Sequence, residues 1–441
     1  MIILGLGSNV GNRLAHLRDT LNKLKHIAGL TVQQASPVYL SDAMLPDQAP
    51  ESWNLPFLNC AAACTTTLSP EQLLAEIKKI EAEMGRQPGV FWGPRVIDVD
   101  ILAWDNDDLH SEQLTIPHAS LTERPFALWP LADLMPLWLH PRLQQSAEQL
   151  IEPWGSRYSG DAPYHTRQIN QRIDSPALVG IINVTPDSFS DGGQFYSAEQ
   201  ALRQAVHLME AGAEILDIGA ESTAPNREPL TPDLEWQRLA PVLSAIMQAK
   251  QSFVVPPLIS VDTRHAAVAE QALAQNIDWL NDVTGFEDAD MRAIARSATV
   301  DCVVMHHLSI PPTKEKILAR DQDPVTTLIN WCEQKVAQLT NDGISPERII
   351  LDPGFGFGKS PGQALTLLQQ MHRFTALTTR ILVGHSRKSF MASFTPRPAP
   401  ERDLETMLIA EHLNRQQVDY LRVHRVDLCA RAFRVQALFR S

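Results

Sequence analysis

The sequence predicts two folds in series, an α+β ferredoxin-like domain followed by an α/β (β/α)8 TIM-barrel domain. Three observations predict them. At 441 residues the chain is too long for one ordinary hydrophobic core. Its first third reads strand, helix, strand, strand, helix, strand, the order of an antiparallel sheet with helices packed on it. After Pro176, eight short apolar runs alternate with helical patterns, and most of those runs end in polar residues.

The elements follow in order. "MIILGLGSN" opens as a strand, a periodic helix runs from about Arg13 to His26, and "LTVQQASPVYL" and "FLNCAAACTTTL" read as the next two strands. The second helix has a defined start, with Ser69 as N-cap, Pro70 in the first helical position and Gln72 closing a capping box. "WGPRVIDVDIL", residues 92–102, is the last strand, and short helices around "TERPFALWPLADL" complete the unit. Residues 143–176 lose periodicity and carry turn residues, which places a linker at 155–175 between a first domain at 1–154 and the barrel at 176–441.

The barrel strands are "LVGIINVTPD", "AEILDIGAES", "PLISVDT", "IDWLNDV", "DCVVMHH", "RIILDPGFGFGK", "RILVGHSRKS" and "DYLRVHRVD". Helices such as "SAEQALRQAVHLMEAG" and "PGQALTLLQQMHRF" fill most of the gaps. Strand ends gather at one rim of such a barrel, where active sites form. The candidate groups are therefore Asn183, Asp187, Asp217, Glu221, Asp262, Asn281, Asp282, His306, Asp352, Ser386, Lys388, Arg422 and His424.

Composition narrows the function. Hydrophobic residues at 44% and charged ones at 20% describe a soluble globular chain, and no apolar run approaches a bilayer span. "MIILGLGSNVGN" lacks the basic start and cleavage site of a signal peptide, so a cytoplasmic location and no membrane partner are expected. The net charge of -13 argues against a nucleic-acid partner. Cys60, Cys64, Cys302, Cys332 and Cys429 form no CxxC pair and mostly sit among apolar residues, as reduced core cysteines do.

Within "VIDVDIL" side chains alternate faces, so Ile97, Val99 and Ile101 share one face while Asp98 and Asp100 share the other, roughly 7 Å apart. Such a pair is either a solvated strand face or a metal-binding face. Arg95 on the Gly-Pro turn before them and Arg86 across a loop favour the second reading. Two carboxylates suit one or two Mg2+ ions that bridge to phosphates, and neighbouring arginines would neutralise charge on a transferred phosphoryl group.

"GLGSN", "FLN", "GR", "WGPRVIDVDIL" and "PHASLTERPFALWPL" resemble, in order and over some 140 residues, the signatures of 6-hydroxymethyl-7,8-dihydropterin pyrophosphokinase. That family moves the terminal diphosphate of ATP to a pterin hydroxymethyl group and releases AMP. The resemblance implies that Asp98 and Asp100 hold two Mg2+ ions and that Arg86 and Arg95 handle phosphates. His118 and Arg124 would contact ATP, while Phe57, Asn59, Trp92 and Phe126 would hold the pterin. The loop "GRQPGVFWGPR" departs from the family pattern: it is short and, between Arg86 and Arg95, lacks the further loop arginine that many members carry, with Pro88 and Phe91 in that region.

In the second domain "DPGFGFGKS" is not a phosphate-binding P-loop, because Pro353 stands where that motif requires glycine. Its glycines suit a tight turn at the rim, with Asp352 pointing into the barrel mouth. Asp262, Asn281 and Asp352 with Lys388 could bind a flat polar heterocycle, and Arg422 with His424 an anion.

"GIINVTPDSFSDGG", "DIGAEST", "VDT", "NDV", "DPGFGFGK", "GHSRKS" and "RVH" resemble dihydropteroate synthase across about 265 residues. That family joins 6-hydroxymethyl-7,8-dihydropterin diphosphate to p-aminobenzoate and loses pyrophosphate. By the resemblance Asn183 ligates Mg2+ on the diphosphate, and Arg422 and His424 bind it too. Asp262, Asn281, Asp352 and Lys388 would grip the pterin, and Phe189, Thr223, Pro225, Phe357 and Ser386 would form the p-aminobenzoate pocket. A homodimer through the barrel is likewise only implied. Two departures stand out: Ala224 where the family carries an arginine, with Arg227 nearby, and Arg425 where it carries an acid.

The product of the first reaction is the substrate of the second. A bifunctional folate-biosynthesis enzyme is therefore expected, with ATP, the pterin and p-aminobenzoate as small-molecule partners. The alternatives are a pterin-dependent methyltransferase barrel, or one domain acting as a degenerate scaffold.

Overall fold

The computed structural model describes residues 1–86, 92–155, 165–184, 194–221 and 229–439, with the side chains of 194–197 left aside. Of the residues singled out above, Phe189, Thr223 and Pro225, together with Pro88, Phe91, Asp187, Ala224 and Arg227, lie outside the described residues. Residues 1–174 form one compact unit and 175–439 another. No described helix is long and apolar enough to cross a membrane.

The first unit is α+β. Its elements are β1 (Ile2–Ser8), α1 (Arg13–Lys25), β2 (Leu30–Ala35), β3 (Tyr39–Ser41), β4 (Phe57–Thr66), α2 (Pro70–Glu83), β5 (Asp98–Trp104), β6 (Leu109–His110), β7 (Thr115–Ile116), α3 (Pro125–Leu134), α4 (Ala147–Ile151) and β8 (Arg167–Gln168). The main sheet is antiparallel in the order β5-β1-β4-β3-β8, and β2 also pairs with β4. Helix α1 buries Leu14, Leu17, Leu21 and Leu24, a stripe at helical spacing. The capping box before α2 forms as its sequence reads, with Ser69 Oγ accepting from Gln72 N and Gln72 Oε1 from Ser69 N.

Two local readings are corrected. "LTVQQASPVYL" is two short strands, because Pro37 brings no N–H to the ladder and Ser36 turns its own N–H and hydroxyl onto Ala61. The later part of the expected linker is built into the first unit: β8 pairs with β3, and Arg172 is buried with its guanidinium on Ala35 O and Asp174.

The second unit is a closed barrel of eight parallel strands. In order it contains β9 (Ala177–Asn183), α5 (Gln194–Glu210), β10 (Ile215–Gly219), α6 (Pro232–Ala249), β11 (Leu258–Asp262), α7 (Ala266–Leu273), β12 (Trp279–Asp282) and α8 (Ala289–Ser297). It continues with β13 (Asp301–Met305), α9 (Pro324–Asn341), β14 (Ile349–Asp352), α10 (Pro361–Gln369), β15 (Arg380–Val383), α11 (Asp403–Arg415), β16 (Tyr420–Val423) and α12 (Val426–Ala437).

Strand parity organises its interior. Ala177, Val179, Ile215, Trp279, Val303, Ile350 and Leu382 form one apolar layer, while Leu178, Leu216, Leu280, Val304, Leu351 and Val383 belong to the core shared with the helices. Two residues beyond the inner layer, on the same parity, come Asp217, Asn281 and Asp352. A polar tier therefore caps an apolar plug at the carboxyl ends of the strands.

Candidate active sites

All ten residues expected at the first site line one cavity of about 750 Å³: Phe57, Asn59, Arg86, Trp92, Arg95, Asp98, Asp100, His118, Arg124 and Phe126. The sheet explains how. Asn59 on β4 faces Gly7 on β1, which in turn faces Asp98 on β5, so three adjacent strands deliver the floor. Gly7 keeps that floor open, since a Cβ there would lie 3.0 Å from Asn59 Oδ1. The Asn59 amide donates to Ser41 Oγ at 2.9 Å, which fixes it.

Charge at the site is concentrated on one strand. Asp98 accepts from Arg86 Nη1 at 2.5 Å on one oxygen and from Arg95 Nη1 at 2.6 Å on the other. Burial, then the charge of Asp98, pushes the Asp100 carboxyl up to about 6. A cation placed beside this pair would relieve both penalties, and carboxylate oxygens are donors that suit Mg2+. His118 Nδ1 accepts from Ser120 N, and burial with the nearby Arg124 charge pushes its pKa down to about 4. The ring is thus neutral with its proton on Nε2, a donor 4.0 Å from Asp100. Arg124 lies over the Trp92 ring at 5.8 Å, and its buried Nε has no acceptor among the described residues. Such an orphaned donor suits an anionic ligand.

Sequence reasoning missed Glu81. This buried carboxylate on α2 accepts from Arg86, from Lys78 Nζ at 2.8 Å and from Val99 N at 2.8 Å, tying α2, the arginine and β5 together. Its signal was available: Glu81 interrupts the apolar stripe Leu73, Ile77, Ile80.

At the barrel mouth Arg422 donates to Asp217 at 2.5 Å and to Asp262 at 2.9 Å. Asn281 Nδ2 also reaches Asp217. Burial, then the charge of Asp217, pushes Asp262 up to about 7. Asp352 Oδ1 accepts from Gly354 N at 2.7 Å, and burial raises its pKa as well. Lys388 lies 4.8 Å from the Phe357 ring centroid, and burial and Arg422 lower it to about 8. Ser386 Oγ accepts from His424 N and lies 2.9 Å from His424 Nδ1. Burial, with Arg387 and Arg422 close by, pushes His424 down to about 3, so the ring is neutral and shares a hydrogen bond with the Ser386 hydroxyl through Nδ1. Asn183 closes β9 with its residue exposed, offering one amide oxygen.

Two strand-end candidates do not face the mouth. Asp282 has outward parity and caps its own turn, accepting from Thr284 N and Oγ1 and from Phe286 N. His306 also has outward parity; its ring takes the buried Lys359 ammonium at 2.8 Å. Glu221 forms a bidentate pair with Arg264.

Residues 3–136 match the family described as 7,8-dihydro-6-hydroxymethylpterin-pyrophosphokinase, and residues 179–424 match the family described as pterin binding enzyme. The chain is 35% identical over 441 residues to the folate synthesis bifunctional protein of Chlamydia muridarum, covering 97% of this chain and 95% of that one. A folate synthesis bifunctional protein of Arabidopsis thaliana is 32% identical over 463 residues, with 96% and 93% covered. Among solved structures, dihydropteroate synthase from Anaplasma phagocytophilum with bound 6-hydroxymethylpterin-monophosphate is 36% identical, covers 60% of this chain and 99% of its own, and aligns with a TM-score of 0.55.

Proposed function

Because the chain belongs to the bifunctional folate-synthesis family, a pyrophosphokinase joined to a pterin-binding barrel, we propose that the cavity of the first unit and the barrel mouth of the second are its two active sites. The enzyme transfers diphosphate from ATP to 6-hydroxymethyl-7,8-dihydropterin, releasing AMP, and condenses the product with p-aminobenzoate to 7,8-dihydropteroate and pyrophosphate. The observation that carries the site assignment is the convergence of ten motif residues on one cavity.

In the first reaction Phe57, Trp92 and Phe126 offer aromatic faces to the pterin, and the fixed amide of Asn59 meets its polar edge. Mg2+ would be held by Asp98 and Asp100 and, when bound, neutralises phosphate charge and orients the transferred group. Arg86 and Arg95 stand on Asp98 and exchange that carboxylate for phosphate oxygens once nucleotide and metal arrive. His118 Nε2–H and Arg124 Nε–H are the remaining donors for ATP. Most of the rate then comes from positioning and charge stabilisation.

In the second reaction Asp262, Asn281, Asp352 and Lys388 hold the pterin. Arg422 and the His424 ring receive the diphosphate as the C–O bond breaks, and Asn183 would supply an oxygen ligand for Mg2+. Phe357 and Ser386 line the side from which p-aminobenzoate attacks. The barrel pairs into a homodimer.

The test is mass spectrometry of one reaction holding ATP, Mg2+, 6-hydroxymethyl-7,8-dihydropterin and p-aminobenzoate. Dihydropteroate together with AMP is expected. AMP with accumulating pterin diphosphate and no dihydropteroate would overturn the reading of the barrel.

A further inference from the structure

One buried carboxylate at the barrel mouth has no part in these reactions. Asp217 is 1% exposed and sits directly above Ile215 on the inner side of β10. Its partners at hydrogen-bond distance are donors: Ser260 Oγ at 2.6 Å, Arg422 Nε at 2.5 Å, and Asn281 Nδ2 at 3.3 Å from one oxygen and 3.2 Å from the other. An ionised carboxylate can only accept, so the Asn281 amide must turn its NH2 toward Asp217. Its carbonyl oxygen then points the opposite way. Asn281 lies two residues above the apolar Trp279, in the polar tier, and among the described residues no donor is found on that oxygen.

We propose that Asp217 is a positioning residue that locks Asn281 as a hydrogen-bond acceptor toward the barrel mouth, so that the site selects a heterocycle edge bearing N–H donors. The proposal rests on the reading of this mouth as the pterin site. A neutral amide at position 217 could accept or donate, and Asn281 would then be free to present its NH2 instead. Presenting a donor to a donor edge leaves both groups unpaired, which is how hydrogen-bonding sites reject a wrong ligand. Arg422 keeps its second carboxylate, Asp262 at 2.9 Å, so the change falls mainly on Asn281.

The experiment uses the full chain without ATP, supplied with preformed pterin diphosphate and p-aminobenzoate. In Asp217→Asn the KM for pterin diphosphate is expected to rise roughly 10- to 100-fold, while that for p-aminobenzoate stays within about twofold. In the double variant Asp217→Asn/Asn281→Asp the amide at 217 donates to the carboxylate at 281, an acceptor again faces the mouth, and the KM returns toward wild type. Asn281→Asp alone sets two carboxylates against each other and is worse than the double variant. A wild-type KM in Asp217→Asn, or a double variant no better than Asp217→Asn, overturns the proposal. Should Asp217→Asn melt early, the double variant decides alone: a KM near wild type supports the lock, and one raised as far as in Asn281→Ala refutes it. A wild-type chain that forms no dihydropteroate removes the pterin-site reading itself, a different result from either.

Discussion

Gly354→Ala should stop the second reaction while sparing the first. Gly354 is held at φ +67°, and a Cβ built there lies 1.9 Å from the carbonyl oxygen of His306. An ordinary C···O contact is about 3.3 Å, so the loop must retreat by more than about 1 Å. The left-handed conformation costs about 1–2 kcal/mol for alanine. The retreat also breaks the 2.7 Å bond from Gly354 N to the Asp352 carboxylate, another 1.5–3 kcal/mol or about that for a charged acceptor. Together these come to roughly 2.5–5 kcal/mol, and a displacement near 1 Å at a binding group costs on the order of 100-fold in rate. Gly356 is the internal comparison, since at φ +88° its Cβ would meet only Lys388 Cδ at 3.4 Å. The assay is the initial rate of dihydropteroate formation from preformed pterin diphosphate, with AMP release by the first unit of the same molecule as control. Condensation in Gly354→Ala within about threefold of wild type, or equal damage from Gly356→Ala, would refute the reasoning.

Three further outcomes are expected. Asp98→Ala abolishes AMP release but leaves condensation of added pterin diphosphate intact; AMP production near the wild-type rate would sink the assignment of that carboxylate. Lys388→Ala cripples condensation alone, and equal loss of both activities would point away from a local role. Burial pushes His385 down to about 4, with Nε2 donating to Thr406 O at 3.0 Å. Its folded pKa is below the unfolded value of about 6.5, so the unfolded chain takes the proton first. The stability it supplies is present above that value and is lost as pH falls toward 4, by up to about 1.4 kcal/mol per pH unit. Asp262 and Asp352, raised by burial, act in the opposite sense, so the quantity to read is the difference between wild type and His385→Asn. Thermal melts from pH 7 to 4.5 should fall less steeply for the variant; parallel curves would count against it.

The first site was legible because its chemistry is local. Asp98 and Asp100 share a face by strand alternation alone, and Arg95 lies three residues from Asp98, the carboxylate it pairs with. The capping box at Ser69 is a four-residue pattern and needs no tertiary help. The barrel mouth was legible as a set of strand ends but not as a geometry. Parity along each strand separates Asp217 and Asn281, which enter the polar tier, from Asp282, which turns outward into its own loop. That parity is present in the sequence, yet it becomes readable only once the inner apolar layer shows which face is inside.

By itself the sequence determined the order of the elements, the alternation that brings two aspartates to one face, and the motifs that mark the family. Only the tertiary structure decided who pairs with whom. Arg422 meets Asp217 across 205 residues, Glu81 joins α2 to β5, and residues 167–168 add a strand to the first sheet instead of running on as a linker. Local periodicity says which way a side chain points; a charged group buried far along the chain takes whichever partner barrel closure brings to it, because leaving it unpaired costs more than any local preference supplies.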